Sequence, residues 1–457
     1  MNEVKIDLTA LGCFVAATGA DDIPDETWTF GRLLLLDSLG ALIGGLRYPA
    51  VRRLGETLDV VGDPSGTVPF GWTTTLGAAA TWLDADSGGS FHQAGARIPP
   101  VPTAHPAPHV LPGLLHALAR GDVDDDAAIA AFVIGCEVGL RFGAGTSLRP
   151  GLHPHGIHGP IATAVALSAL NGVDAETATR AIELGGSLPL AATLAVPMRG
   201  GTVRNLWTGV GSYYGALAAA TAADRVVTDR LIDELYDGVV TTDVDIDELT
   251  GGLGARWRMH ESYIKPYACA RWVHPALDAL HTALAEAGGP LPSEITAIEV
   301  ETFAFAASLD SRGAESDLHA RFSIPRCVAS VVVDGRLDAD GFLPGRFERP
   351  EVAMLVDRVH VRELPEFSAE LPERRPARVT VRTIAGRWTA EVPNARGNPD
   401  SALTVEEVVE KFLGNVGPFL PCEVLDQIVD TLVGPTARGA RGTALRELAV
   451  AVRSAVV

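Results

Sequence analysis

The segment from Lys265 to Asp278 places a lysine, an arginine and a histidine within ten residues, just before a helical apolar pattern. Lys265 and Arg271 offer fixed positive charge, and the imidazole of His274 exchanges protons near neutral pH. Together these groups suit a pocket for a small molecule that carries several carboxylates. The alternative is a chance basic patch at the start of a helix.

A second candidate is a pair of carboxylates at the end of an Ala-rich helix. Asp84 and Asp86 lie in this acidic segment, and a long loop over residues 88–104 then leads to His105. Carboxylates beside a histidine form an acid/base pair or orient the imidazole. The alternative is an Asx-type turn followed by a solvated loop.

Three histidines, His153, His155 and His158, fall within six residues of a Gly- and Pro-containing turn. Their spacing does not match HExxH and no carboxylate is near in sequence, so a metal site is disfavoured. The turn precedes a helix, which favours proton transfer or the binding of an anion at the helix N-terminus. A solvated loop position is the ordinary alternative for at least one of the three.

Two arginines are candidates for binding substrate carboxylates. Arg204 follows a Gly-Gly turn that matches neither GxxxxGK[ST] nor GxGxxG, so nucleotide binding is disfavoured. A guanidinium pairs bidentately with a carboxylate, and Arg204 is predicted to do so, with an exposed arginine on a solvated turn as the alternative. Arg326 is predicted to face the same cleft, and Cys327 to be a buried thiol.

The composition excludes several function classes. The 457 residues carry a net charge of −20, which disfavours a nucleic-acid partner because phosphate binding needs clustered lysine and arginine. The five cysteines are scattered and form no CxxC pair, so zinc ribbons are disfavoured and a reducing cytoplasm is expected. We expect no signal peptide, since residues 1–7 lack a basic start, and no membrane span, since Asp37 interrupts the apolar run 33–36.

The periodicity predicts a mainly α protein. Helical spacing dominates up to residue 290, where β signals are almost absent. Alternating segments between residues 295 and 392 then predict strands, with a hairpin turn at Ala385-Gly386. Helix returns after a capping box formed by Thr404 and Glu407.

The simplest arrangement is a large all-helical domain built from both chain ends, plus a smaller inserted α+β lid domain. The predicted boundaries are residues 1–264 for the first part of the helical domain, 265–398 for the lid and 399–457 for the C-terminal part of the helical domain. A cleft between two domains is a common place for a ligand site.

Six short segments follow one another along essentially the whole chain. They are Leu35-Leu36-Asp37-Ser38-Leu39-Gly40, Leu83-Asp84-Ala85-Asp86, His105-Pro106, His153 with Gly159-Pro160, Lys265-Pro266-Tyr267 with His274, and Phe322-Ser323-Ile324-Pro325. In this order they resemble the MmgE/PrpD family, which includes 2-methylcitrate dehydratase, cis-aconitate decarboxylase and iminodisuccinate epimerase. The resemblance is specific to the family but does not select one activity.

The resemblance implies a helical domain with a smaller α+β lid, a cleft between them, homodimers, and metal-free chemistry on small di- or tricarboxylates. Family members move a proton on the carbon next to a carboxylate, or reverse that step after losing carbon dioxide. The catalytic residues that the motifs imply are Asp84, His105, His153, Lys265 and His274. The predicted substrate-binding residues are Arg204, Arg271 and Arg326.

The chain departs from the family pattern at several places. The usual Asp-Asp-Thr reads Asp86-Ser87-Gly88, and the loop over residues 88–104 is longer than usual. Arg204 stands where a lysine is typical, and Arg326 where a tyrosine follows Ser-Ile-Pro. Arginine binds a carboxylate but is a poor general acid because it keeps its proton. A housekeeping methylcitrate dehydratase is therefore disfavoured.

The leading hypothesis is a cofactor-independent, dehydratase-like lyase that transfers the α-proton of a small di- or tricarboxylic acid through His153 or His105. An epimerase or other isomerase, and a decarboxylase, on a similar polycarboxylate are alternatives. A family member that binds a ligand and catalyses nothing is the alternative from another class. The predicted partners are the small carboxylate and a second copy of the chain in the cytoplasm, with no nucleic acid, membrane, metal or cofactor.

Overall fold

The computed structural model describes residues 6–58, 70–89, 104–225, 227, 232–313, 315–435, 438–439 and 442–456. Most of the predicted loop over residues 88–104, including His92 and Arg97, lies outside this part of the chain. The structure is 61% helix and 9% strand, which confirms the predicted mainly α fold class.

The first part of the chain consists of helices with two short ladders of strands. Its helices are α1 (Thr9–Ala17), α2 (Asp25–Leu46), α3 (Pro49–Thr57), α4 (Phe70–Trp82), α5 (Ala107–Arg120), α6 (Asp125–Ala144), α7 (Gly159–Leu170), α8 (Ala175–Gly186), α9 (Ala195–Met198), α10 (Val203–Ala222), α11 (Ile232–Leu235) and α12 (Ile246–Thr250). Its strands are β1 (Gly88–Gly89), β2 (Thr146–Leu148), β3 (Thr241–Val244) and β4 (Ser262–Tyr263). β1 pairs with β4 and β2 with β3, both antiparallel. These ladders were not predicted, because strands of two to four residues are too short to show an alternating pattern.

The middle of the chain combines helices with a four-stranded sheet. Its helices are α13 (His274–Glu286), α14 (Ala304–Ala307), α15 (Asp317–Arg321), α16 (Ile324–Asp334), α17 (Pro350–Val356) and α18 (Pro365–Ser368). Its strands are β5 (Ile295–Thr302), β6 (Val359–Glu363), β7 (Ala377–Thr383) and β8 (Arg387–Val392). The strand order is β6-β5-β7-β8, with β5 and β6 parallel and the other pairs antiparallel. The predicted strands and the β7–β8 hairpin are confirmed.

Helices return at the chain end as α19 (Val405–Val416), α20 (Cys422–Val433) and α21 (Ala444–Val456). The predicted capping box begins α19. The backbone N–H of Glu407 donates to the Thr404 hydroxyl over 3.2 Å, and the backbone N–H of Thr404 donates to the Glu407 carboxylate over 2.9 Å. These two hydrogen bonds satisfy backbone N–H groups that would otherwise be unpaired at the start of a helix.

Two hydrophobic cores organise these elements. The first draws on buried residues from Ile6 to Ala268 and again from Val408 to Val452, so both chain ends share it. The second contains buried residues between Tyr267 and Ala390, including the inner face of the sheet. The exact domain boundaries remain predictions. The function of residues 265–398 as a lid is also still a prediction.

Helices α4 and α10 approach each other closely through glycine. A Cβ on Gly209 would lie 2.2 Å from the carbonyl oxygen of Thr74, and a Cβ on Gly77 would lie 2.5 Å from the Cα of Gly209. No larger residue fits here without separating the helices. The contact matters for the site, because it brings Asp84, just after α4, next to Arg204 in the first turn of α10.

Helices α2 and α6 are long and apolar enough to cross a membrane by length and composition. The expectation that no segment has this property is therefore wrong. Both helices are packed inside the fold, since 83% of the most apolar stretch of α2 and 94% of that of α6 are buried there. A helix that is hydrophobic all round is typical of the core of a large protein as well as of a membrane.

We expect Gly209→Ala to lower the free energy of unfolding by roughly 1–3 kcal/mol, the usual range for overpacking. Gly414→Ala in α19 is the matched control, because a Cβ there lies 3.4 Å from its nearest neighbour, Oδ2 of Asp338. The control should be neutral or stabilising, since alanine favours helix more than glycine does. Urea denaturation measures both, and equal effects would contradict the close packing of α4 against α10.

Candidate active site

Three consecutive carbonyls just after α4 each accept a hydrogen bond from a buried cation. Nη1 of Arg321 lies 3.0 Å from the oxygen of residue 83, Nζ of Lys265 2.7 Å from that of residue 84, and Nζ of Lys411 3.0 Å from that of residue 85. The three cations come from α15, the segment after β4, and α19. Residues 83–86, which we call the acidic turn, are therefore held by distant parts of the chain.

The acidic turn contains an unusual backbone conformation. Asp84 has φ of 50°, in the left-handed region that residues with side chains rarely adopt. Such conformations persist only where the surroundings fix them, as the hydrogen bonds to the turn do. The conformation allows both carboxylates of the turn to reach Arg204, with Nη2 2.5 Å from Oδ1 of Asp84 and 3.5 Å from Oδ1 of Asp86.

Asp84 bridges two cations. Its second oxygen, Oδ2, lies 3.2 Å from Nζ of Lys265, and all three side chains are at most 3% exposed. A charge so deeply buried requires a partner, and each of these groups has one. Asp84 was predicted to orient a catalytic histidine, but its contacts are with Arg204 and Lys265, so it positions the cations instead.

The carboxylate that contacts a histidine is that of Asp86. Its Oδ2 lies 2.8 Å from Nδ1 of His105, which is also 2.8 Å from the carbonyl oxygen of Ser87. Neither oxygen of Asp86 has a hydrogen-bond partner among the described residues, so its contact with His105 is chiefly electrostatic. Both neighbours can only accept a hydrogen bond, so Nδ1 carries the proton. In neutral His105, Nε2 is therefore the basic atom, and no described residue bonds to it.

Asp86 is ionised despite its burial. Burial alone would raise its pKa, but the positive charges of Lys265 and Arg204, together with His105, hold the pKa well below its usual range. The site thus keeps a fixed anion behind the imidazole.

The candidate site contains a stack of imidazoles. The ring of His155 is 4.4 Å from that of His105, 4.9 Å from that of His153 and 5.5 Å from that of His109, measured between centroids, with interplanar angles of at most 26°. All four rings are buried. Of the three histidines in the predicted turn, His153 and His155 belong to the stack.

The hydrogen bonds of the stack assign different roles to its two loop histidines. His155 accepts from Nη2 of Arg204 at Nε2 over 3.2 Å and donates from Nδ1 to the Thr208 hydroxyl over 3.1 Å, so both nitrogens are used. His153 accepts the backbone N–H of His155 at Nδ1 over 3.2 Å, which leaves its proton on Nε2. Burial and the nearby Arg204 charge lower the pKa of both rings well below the ordinary value. Both are neutral at pH 7, and Nε2–H of His153 is a donor with no described partner.

His109 and His158 are structural. His109 donates from Nδ1 to the carbonyl of His105 over 2.9 Å and accepts the backbone N–H of Gly156 over 3.1 Å at Nε2. His158 lies outside the stack, with Nδ1 3.2 Å from the hydroxyl of Tyr236. Burial lowers the pKa of His109 to about 4 and that of His158 to about 3.

His274, predicted to be catalytic, has both ring nitrogens occupied. Nε2 donates to the carbonyl of Cys269 over 3.1 Å, and Nδ1 accepts from Nη1 of Arg271 over 3.2 Å. Burial and the Arg271 charge lower the pKa of His274 well below the ordinary value. Because neither nitrogen is available for proton transfer, we correct its role to positioning Arg271.

Arg271, predicted to bind substrate, is joined to the histidine stack through an aromatic ring. Its guanidinium lies 4.8 Å from the centroid of the Tyr263 ring, which packs edge-on against His105 at 6.5 Å. Its donors also bond the carbonyl of Arg396 over 2.9 Å and the side chain of Asn398 over 2.6 Å. Arg271 therefore contributes a fixed positive charge beside the site.

Arg326 is not brought to this cluster. Its guanidinium donates to the carbonyl oxygens of Arg312, Gly313 and Phe347 over 2.7 to 3.2 Å. No described contact joins it to the acidic turn or to the histidines. Its predicted role as a substrate-binding residue in the cleft is corrected to that of a cross-link between backbone segments.

Asp86, His105 and His155 have ligand atoms within 4.8 Å of one another, which is the geometry of a three-ligand metal site. Arg204 opposes this interpretation, because its Nη2 lies 3.2 Å from Nε2 of His155 and 3.5 Å from Oδ1 of Asp86. A divalent ion would have to displace that guanidinium and overcome the charge of Lys265. The residues suit an anion better than a cation.

The structure thus gathers Asp84, His105, His153, Lys265 and Arg204, places Arg271 and His274 beside them, and leaves Arg326 apart. Asp86, His155 and Tyr263 join the site without having been predicted as site residues. Asp86 had a usable signal, as the second carboxylate of Asp84-Ala85-Asp86, and so did His155, two residues after His153. Tyr263 had no such signal in the sequence, because only the short pairing of β1 with β4 places it at the site.

Two sequence models of one family match the chain. The model of the MmgE/PrpD N-terminal domain matches residues 9–228, and that of the MmgE/PrpD C-terminal domain matches residues 267–432. Two similar curated proteins, from Aspergillus terreus (strain NIH 2624 / FGSC A1156) and from Aspergillus terreus, are both named cis-aconitate decarboxylase. Each is 24% identical over 306 residues. The match covers 61% of this chain and 60% of each relative, so the chain spans less than two thirds of their length.

The buried neutral histidines predict a loss of stability in mild acid. The unfolded chain binds a proton at each histidine below about pH 6.5, whereas His109 in the folded chain does so only near pH 4. The unfolded state therefore binds more protons between these values, and the free energy of unfolding falls as the pH falls, by up to about 1.4 kcal/mol per histidine per pH unit. Urea denaturation at pH 7.5, 6.5 and 5.5 measures this slope. Equal stability at all three values would contradict the assignment of neutral rings.

Proposed function

Because the chain belongs to the MmgE/PrpD family, we propose that it is a lyase that acts on a small di- or tricarboxylic acid by transferring a proton on the carbon next to a carboxylate. The observation that carries the proposal is the opposite roles of two imidazoles beside buried cations. In the neutral rings, Nε2 of His105 is an acceptor and Nε2–H of His153 is a donor, and neither has a partner among the described residues. Such a pair suits removal of a proton at one atom and donation at another.

His105 is the proposed general base. The ionised Asp86 and the carbonyl of Ser87 fix the proton on Nδ1, so that the lone pair of Nε2 takes the α-proton from the substrate. As the ring becomes an imidazolium, the carboxylate of Asp86, 2.8 Å away, stabilises the new charge. A buried aspartate assists a histidine base in the same way in other enzymes.

Fixed cations stabilise the negative charge that develops on the substrate. Removing the α-proton leaves an electron pair that delocalises into the adjacent carboxylate as an enolate-like anion. Asp84 holds Lys265 and Arg204 beside the site, and the buried Nε–H of Arg204 has no partner among the described residues. Charges that are already in place need no reorganisation as the anion forms, and such preorganised stabilisation is usually the largest catalytic contribution.

His153 is the proposed general acid. In an elimination, the electron pair of the broken C–H bond forms the C=C bond and the β-hydroxyl leaves with the proton of His153 Nε2 as water. His105 then carries the extra proton and His153 has lost one, so both must exchange with solvent before the next turnover. Because His153 is neutral and carries its proton on Nε2, this transfer leaves an imidazolate, which the nearby positive charges of Arg204 and Lys265 stabilise.

Decarboxylation is a second candidate, favoured by the similarity to two proteins named cis-aconitate decarboxylase. In that reaction the C–CO₂ bond breaks, its electron pair remains on the carbon, and an imidazolium returns a proton to it. The same cations would hold the intermediate anion. An epimerase would use the two histidines to remove and return a proton on one carbon.

We further propose that the enzyme is a homodimer in the cytoplasm and needs no metal or cofactor. Light scattering of the purified protein tests the first point, and turnover after exhaustive chelation tests the requirement for a metal.

Incubation with a panel of small di- and tricarboxylic acids in deuterated water, read by NMR, tests the function. We expect deuterium at the carbon next to a carboxylate in at least one compound, together with a new alkene. Loss of carbon dioxide would select the decarboxylase, and exchange without an alkene the epimerase. An absence of exchange, alkene and decarboxylation across the panel, with acids that raise the melting temperature, would contradict the catalytic proposal and leave a binding protein.

We expect His153→Ala to fold normally and to lose at least ~100-fold in kcat, the usual scale for removing a general acid or base. His360→Ala is the matched control, because that histidine is exposed on β6, away from the stack. Steady-state kinetics and circular dichroism measure both variants. An unchanged kcat in the His153 variant would remove that residue from the mechanism.

A further inference from the structure

Tyr263 carries a buried hydroxyl that no described residue bonds. The residue belongs to β4, opposite Gly88 of β1, and its side chain is fully buried. A buried polar group without a partner is unfavourable, and native proteins contain few of them. A lone hydroxyl beside catalytic groups therefore points to a ligand that completes its hydrogen bonding.

The hydroxyl of Tyr263 and the ring of the proposed base both lie against Gly88. A Cβ on Gly88 would lie 2.7 Å from the Tyr263 hydroxyl oxygen, 2.9 Å from Cε1 of His105 and 3.0 Å from Nδ1 of His105. No side chain fits at position 88 without displacing one of these groups. Glycine therefore allows β1 to pass close to both of them.

Two arginines lie near Tyr263. Arg271 lies over the Tyr263 ring, and Arg375, which precedes β7, interacts electrostatically with both. Burial, with the repulsion from Arg271, lowers the pKa of Arg375 to about 10, so Arg375 is charged at pH 7. Arg271 is charged as well, because arginine keeps its proton in proteins. Among the described residues, no carboxylate lies within 4 Å of either guanidinium, and Nε of Arg375 is buried without a partner. An anion would satisfy both the charge and the free donor.

We propose that Tyr263, Arg271 and Arg375 form a carboxylate-binding subsite beside His105, in which the Tyr263 hydroxyl and the Arg375 Nε–H donate hydrogen bonds to one carboxylate of a di- or tricarboxylic acid. The subsite rests on the function proposed above and specifies how the substrate is held. Arg271 supplies charge, because its own donors are bonded to the carbonyl of Arg396 and to Asn398.

The chemistry of the three groups suits a carboxylate. Burial raises the pKa of Tyr263 above its ordinary value, so the hydroxyl keeps its proton and acts only as a neutral donor to an anion. Hydrogen bonds to a charged acceptor are stronger than those between neutral groups. A second anchored carboxylate would also fix the α-carbon relative to Nε2 of His105, which is the positioning that proton transfer needs.

Calorimetric binding of citrate, cis-aconitate and succinate to the full chain tests the subsite. We expect Tyr263→Phe to weaken the binding of the acid that the wild type binds best by about tenfold. The phenyl ring keeps the contacts with Arg271 and His105, so the melting temperature without ligand should not fall. Arg375→Met should weaken the same acid by at least as much. Tyr213→Phe on α10, outside the site, is the control and should bind as the wild type does.

The possible results distinguish a failure of the subsite from a failure of the function on which it depends. If the wild type binds one of the acids and both the Tyr263 and Arg375 variants bind it with unchanged affinity, the subsite is wrong and the proposed function stands. If Tyr263→Phe lowers the melting temperature in the absence of ligand, the hydroxyl has a structural partner and the subsite is wrong. If the wild type binds none of the three acids, the proposed function and the subsite fail together.

Discussion

The burial of two carboxylates in the acidic turn is the constraint on which the rest of the structure depends. Asp84 and Asp86 are each 2% exposed, and such charges are tolerated in an interior only when cations pair with them. Arg204 and Lys265 supply that charge, and Lys265 also helps to hold the backbone of the turn. Because Arg204 stands at the start of α10 and Lys265 just before the second hydrophobic core, the paired charges also join distant parts of the chain.

The same charges determine the protonation of the site. The positive charges near the stack, together with burial, keep His153 and His155 neutral, whereas the ionised Asp86 lies directly behind His105. An acid and a base of the same residue type thus differ only in their surroundings. Separating the environments of two titratable groups is how enzymes assign such roles.

Elements that depend on local pattern were predictable from the sequence, and so was part of the site. The capping box at Thr404 and the β7–β8 hairpin follow from neighbouring residues alone. The roles of individual site residues were less predictable, because they depend on backbone placement. A positive φ at Asp84 decides which carboxylate reaches His105, and the carbonyl of Cys269 decides that His274 has no free nitrogen. Backbone placement also decides the role of Arg326, because it binds backbone carbonyls from other segments and not the groups of the site.

The positions of two imidazole protons are the most direct test of this account. Nitrogen NMR of protein labelled with ¹⁵N-histidine distinguishes Nδ1–H from Nε2–H, and spectra of the His105→Gln and His153→Gln variants assign the two signals. We expect a proton on Nδ1 of His105, and a neutral His153 with its proton on Nε2, at pH 7. A neutral His105 protonated on Nε2, or a positively charged His153, would contradict the assignment of base and acid.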